Sequence, residues 1–301
     1  MSVATVFRKE SLREARSWRA YVLRTSYVLF VFALIALFFR NDIQSVQQNI
    51  QDELQQERLL DLARRLYTFT AYAQLLIAAF ITPVLVVSSF QGERKNGTLE
   101  LMTISRLKDR DIVLGKVGAR VLQLMTIVLA GLPILTLIKV FGFVDIQLVL
   151  ANFFSATAVV LLAASLGARY GLTSQTLLAG VGKTLSVLVV MTVAAPILRL
   201  LLGVIFNPST AFGSQTADLI VYVLNPFYAQ VSILDFQERQ DAILSADTFA
   251  LISILQLTVA ALIAWYFLNR AELEFRWWRL GLYSGQAGGQ YGRAREVQEE
   301  R

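Results

Sequence analysis

Long apolar runs alternate with short charged segments along this chain. A helix needs about 20 mostly apolar residues to cross a hydrocarbon core roughly 30 Å thick. Six runs meet that length, at 20–39, 67–90, 117–140, 147–168, 181–202 and 248–268. A further run at 219–236 is split by Asn225-Pro226 and bracketed by Asp218 and Asp235. Proline lacks an N–H and disfavours helical geometry in the residue before it, so each half is too short to cross. The pattern therefore predicts six spans, with 203–247 as an external segment of short helices.

The polar segments carry patterns of their own. Phe7, Leu12, Ala15 and Trp18 recur among Arg8, Lys9, Arg13, Arg16 and Arg19, which predicts an interfacial helix within 1–19. Between the first two runs, Ile43, Val46, Ile50 and Leu54 form a helical stripe in 40–66, predicting an amphipathic helix or a helical extension. In the fourth run Ala151, Ser155, Ala163, Gly167 and Gly171 form a small-residue face, suited to close helix packing within the chain or to a dimer contact. Trp277 and Trp278 read as interface anchors, and the Gly- and Gln-rich stretch 281–301 as a disordered tail.

Composition agrees with this reading. The 301 residues are 55% hydrophobic and 17% charged, with a mean hydropathy of +0.55, too apolar for an ordinary soluble domain. The first run starts after a basic stretch, is too long for a signal peptide's apolar region, and lacks a small-residue cleavage site, so it is expected to remain as an anchor. The chain has no cysteine and no histidine, which excludes disulfides, thiolate or imidazole metal sites and His-dependent nucleophilic catalysis.

Charge then predicts orientation. With both termini in the cytoplasm, 21 of the 28 Lys and Arg residues fall on the inner side, as the positive-inside rule favours. The localisation expected is a multi-pass protein of the cell's inner (cytoplasmic) membrane. The basic residues are spread over membrane-flanking segments with no aromatic-interleaved recognition module, so nucleic acid is not an expected partner.

Two chemistries are absent by pattern. Gly182-Lys183-Thr184 mimics the end of a phosphate-binding loop, but Leu177 stands where its first Gly belongs, and the segment enters an apolar run. No Asp or Glu lies inside the six runs, whereas ion-coupled transporters keep such ligands at membrane depth. Neither a catalytic residue nor a cofactor or metal site is expected in this chain, which reads as no enzyme.

One charged, amphipathic segment sits between the second and third runs, from Gly92 to Lys116. Asn96-Gly97-Thr98 can turn the chain and cap a short helix, with Glu100 near the positive end of its dipole. Leu99 and Met102 would form one apolar face, and Leu101 and Ile104 another; Asp109-Arg110-Asp111 offers a second helix start. A plain topology loop and a docking site for a soluble partner both remain open at this point.

The run Glu93-Arg94, Gly97-Thr98-Leu99-Glu100-Leu101-Met102 and Asp111-Ile112-Val113-Leu114-Gly115-Lys116 resembles the segment between the second and third spans of ABC transporter permeases of the type-2 exporter family. Weaker agreement extends to Lys9-Glu10 with Leu12-Arg13-Glu14 and to Asn225-Pro226-Phe227. Met102 stands where a second Leu is commoner, and Ile104-Ser105-Arg106 where a Pro often follows.

The resemblance implies an all-α permease domain over 1–280, with six transmembrane helices, an N-terminal interfacial helix and a cytoplasmic coupling helix in 91–116. It implies a separate ABC ATP-binding subunit that holds ATP and Mg, and a second permease copy or paralogue forming a homo- or heterodimer in the bilayer. Glu93, Arg94, Gly97, Thr98, Leu99, Glu100, Leu101 and Met102 would make the coupling region. Gly97 and Thr98 would shape the turn, Glu93, Arg94 and Glu100 supply polar contacts, and Leu99 and Leu101 supply apolar docking surface. The alternative is a membrane anchor or scaffold that recruits a cytoplasmic partner without transport. An ion-coupled transporter is disfavoured by the acid-free runs.

Overall fold

The computed structural model describes residues 3–16, 18–48, 54–96, 108–140, 146–205, 211–228 and 246–279. Among these the main elements are all helices and there is no strand. They are α1 (Val3–Ala15), α2 (Trp18–Gln48), α3 (Leu54–Lys95), α4 (Asp109–Val140), α5 (Ile146–Thr173), α6 (Leu177–Ile205), α7 (Ala211–Leu224) and α8 (Ala246–Arg279). Five stretches are long and apolar enough to cross a membrane: Leu62–Lys95, Asp109–Thr136, Ile146–Thr173, Leu177–Leu202 and Leu251–Arg276. They correspond to five of the six predicted runs and fit a multi-pass membrane protein. The remaining run lies in α2, where the apolar stretch Tyr21–Leu37 falls short of that length among the described residues.

The bundle is organised around α5, which packs against α3, α4, α6 and α8. Its small residues explain that position. A Cβ on Gly171 would stand 3.3 Å from the Cα of Val87, and one on Gly167 would meet Val86 at 3.3 Å, so these glycines let α3 approach closely. Ser155 on the same helix faces α8 instead, donating to Gln256 at 2.8 Å. The small-residue face is thus used for packing inside the chain. By contrast α6 leaves Val189, Val190, Val193, Ile197, Leu200 and Leu201 exposed, as expected of a helix whose outer face meets lipid.

Several helices outrun their apolar windows. α3 continues through Gln91–Lys95 and ends at the turn of Asn96, where the amide donates back to the carbonyl of Gly92 at 3.1 Å. α2 runs on to Gln48 and α3 starts at Leu54, so most of 40–66 is a pair of helical extensions. α4 begins at Asp109, with Asp109 and Asp111 in its first turn, where carboxylates favour the positive end of the helix dipole. As predicted, α7 stops at Leu224, before Asn225-Pro226. Asn225 then accepts from the amides of Phe227 (2.9 Å) and Tyr228 (3.3 Å), and its side-chain amide donates to Met191 of α6 at 2.6 Å. Residues 97–107, 229–245 and 280–301 lie outside the described residues, as do the side chains of Trp277 and Trp278.

Candidate functional site: a buried lysine at the base of the charged segment

Three helices meet where α3 ends and α4 begins. Gly115 on α4 has Val6 of α1 directly over it, and a Cβ there would stand 2.8 Å from the Val6 side chain and 3.2 Å from the Phe7 amide nitrogen. A Cβ on Gly118 would meet the Phe7 ring at 3.2 Å. These two glycines form the seat for α1. One consequence is that α1, predicted as an interfacial helix, is also docked on the bundle through its apolar residues.

That docking brings Glu10 of α1 toward Lys116 of α4, at 3.9 Å, while Lys116 Nζ donates to Glu93 Oε1 of α3. Lys116 is 3% exposed and its ammonium lies 5.9 Å from the centre of the Phe90 ring. A buried ammonium requires compensating charge and hydrogen bonds, because removing an ion from water costs several kcal/mol. Two carboxylates on two other helices supply it here. Around this group Phe90, Ile112, Val113, Val117, Leu172 and Phe275 form an apolar cluster that excludes water.

The end of α3 also closes the end of α5. Gln91 donates to the carbonyls of Gly171 (3.0 Å) and Ser174 (2.6 Å), and Arg94 reaches the Ser174 carbonyl at 3.3 Å. The last carbonyls of a helix have no partner within it and carry its negative dipole end, so an amide and a guanidinium suit them. On the other side, Arg276 of α8 lies 3.8 Å from buried Asp109, and Arg169 of α5 donates to Glu274 of α8 at 2.9 Å. The start of α4 and the ends of α3, α5 and α8 are therefore tied into one charged layer.

The predicted coupling residues divide at Asn96. Glu93 and Arg94 are in the last turn of α3 and are engaged within the chain, with Lys116 and with the end of α5. Gly97, Thr98, Leu99, Glu100, Leu101 and Met102 lie outside the described residues. Sequence reading linked Glu10, Glu93 and Lys116 to three separate motif fragments, and the fold brings them together. It missed Gln91, whose only signal was an amide at the end of an apolar run.

Two further polar groupings stand apart. Deep in the bundle, Gln74 donates to the Val128 carbonyl (3.0 Å) and accepts from Asn152 (3.2 Å), while Gln256 donates to the Tyr222 carbonyl (2.9 Å). At the other end of α6, Arg199 pairs with Asp218 of α7, and Tyr228 donates to the same carboxylate at 2.8 Å. Burial first, and then this hydrogen bond to Asp218, push the Tyr228 hydroxyl up to about 12. Gly182-Lys183-Thr184 sits inside α6, with Gly182 and Lys183 exposed and the Thr184 hydroxyl donating to the Gly180 carbonyl at 2.9 Å. It is not a loop joining a strand to a helix.

No protein-family model matches the chain, and no curated protein matches it.

Proposed function

We propose that this chain is the membrane-spanning permease subunit of an ATP-binding cassette transporter of exporter type. It works as a dimer of permeases with a separate subunit that binds ATP and Mg. In this reading both termini and the 97–107 segment face the cytoplasm of the inner membrane, and α2 supplies a sixth crossing.

The observation that carries the proposal is the buried Lys116 held by Glu10 and Glu93. A segment that receives force from a moving partner needs both of its ends fixed to the helices it is to move. Here Asn96 follows a turn of α3 pinned by Glu93, Gln91 and Arg94, and Lys108 precedes the start of α4, pinned by Asp109 in its first turn and by Lys116 about two turns on. A push on 97–107 would reach α3 and α4 together, and α1 through Glu10. Leu99 and Leu101 supply the apolar surface for the partner in this scheme, with Glu100 nearby.

The test is co-purification with an ABC ATP-binding subunit encoded beside this chain. Replacing Leu99 and Leu101 by Asp is expected to abolish the complex, because charged groups would then occupy an apolar contact; an unchanged complex would sink this docking site. In liposomes, a complex of the partner with the Lys116→Met chain is expected to assemble yet turn over ATP several-fold more slowly. Equal turnover would favour an anchor that recruits a partner without transport.

A further inference from the structure

A groove of about 430 Å³ runs between α2 and α3. Leu23, Tyr27 and Phe30 of α2 line one wall and Leu76, Phe80 and Ile81 of α3 the other. Phe30, Leu76 and Phe80 are each about half exposed, at 53%, 50% and 57%, so the groove opens outward rather than into the core.

Arg24 stands one turn from Tyr27 on α2, next to Leu23 at the groove wall. Its Nε is buried and has no hydrogen-bond partner among the described residues, while its guanidinium lies 5.8 Å from the centre of the Tyr21 ring. Burying a charged donor without an acceptor is costly, and a guanidinium offers a planar set of N–H groups that suits phosphate oxygens. Arg24 as a whole is only partly buried, so its guanidinium can still be reached, and an apolar slot with a cation one helical turn from its wall matches an amphiphilic anion.

We propose that this groove seats an acyl chain of an anionic phospholipid and that Arg24 holds its phosphate. A second helix fits the space poorly. Helix-on-helix contact in a membrane favours small residues, and these walls carry Phe and Leu. Arg24 lies near the start of the first apolar run, which the orientation predicted from charge puts on the cytoplasmic side, where anionic lipids create an attractive surface potential. The inference rests on the chain being membrane-embedded and is independent of any transport partner.

The experiment uses the full chain purified in detergent, with phosphatidylglycerol, phosphatidylcholine or inorganic phosphate added and the thermal unfolding midpoint measured. Phosphatidylglycerol is expected to raise the midpoint at least several-fold more than phosphatidylcholine. Arg24→Gln should reduce that advantage to nothing, Arg24→Lys should keep part of it, and Ser26→Trp, which fills the groove, should weaken both lipids. Equal shifts from the two lipids, a preference unchanged in Arg24→Gln, or a full shift with inorganic phosphate alone would each overturn the proposal. Where Arg24→Gln fails to fold, Arg24→Lys and Ser26→Trp carry the test, and equal shifts in the unaltered protein already refute the proposal. Native mass spectrometry from micelles containing both lipids in equal amounts should retain phosphatidylglycerol preferentially, and equal retention would refute the assignment.

Discussion

Lys116 carries much of the electrostatics at the base of the charged segment, because it neutralises carboxylates from two other helices. Replacing it by Met keeps most of its apolar stem and removes the charge, leaving Glu10 and Glu93 facing each other without their cation. Breaking a buried pair in this way costs about 3–5 kcal/mol. Lys116→Met should therefore lower the unfolding midpoint markedly in detergent, followed by circular dichroism, and adding Glu93→Gln should restore part of the loss. An unchanged midpoint in the single variant would mean that this ion pair contributes nothing to the fold. Both Glu93 and Lys116 were visible in the sequence as charged positions flanking an amphipathic segment. Their pairing was not, since 23 residues separate them and no helical periodicity reaches across a turn of chain to another helix. Arg94 is a subtler case. Its charge was legible, but its use on the Ser174 carbonyl depends on where α5 happens to end, 80 residues away.

At the scale of the elements, hydropathy located the helices and capping determined their lengths. An apolar window measures the thickness of hydrocarbon, whereas backbone hydrogen bonding continues until a residue stops it. For α3 that residue is Asn96, and for α7 it is Asn225-Pro226, both signals present in the sequence. The start of α6 is set by Thr176, whose hydroxyl accepts from the Ala179 amide at 3.2 Å. That cap moves the helix ahead of the predicted window, so Lys183 falls in its second turn. The small-residue face of α5 was legible as a packing surface, while its partner became apparent only in three dimensions. Gly171 provides the check. A Leu there would drive into Val87 and Phe90 and displace α3 from the carbonyls that Gln91 caps, costing about 1–3 kcal/mol from overpacking alone. Gly182→Ala in α6 meets nothing within 4 Å and should be neutral or slightly stabilising. If the two variants unfold at the same temperature, the close approach of α3 and α5 is not what the glycines are for.

At the scale of the whole molecule, the number of crossings turns on α2, and chain connectivity constrains it. α1 is seated on Gly115 and Gly118, at the end of the bundle where α3 finishes and α4 begins. α3 starts at the opposite end, and only residues 49–53 join α2 to it. Six peptide steps reach at most about 21 Å, less than a hydrocarbon core of about 30 Å. The last turn of α2 must then lie on the side where α3 starts, while its first turn follows α1 on the other. The six-span reading follows if the helix Leu62–Lys95 itself crosses, which its length and hydropathy favour. A chain without cysteine is well suited to a direct test. Single cysteines at Leu12, Gln44, Lys95 and Asn207 can each be challenged with a membrane-impermeant maleimide on intact cells. Gln44 and Asn207 should react from outside, whereas Leu12 and Lys95 should react only after the membrane is opened. Should Gln44 instead sort with Leu12 and Lys95, α2 does not cross, the external placement of the 40–66 extensions fails, and the charge asymmetry of 21 to 7 loses its meaning as a map of sides.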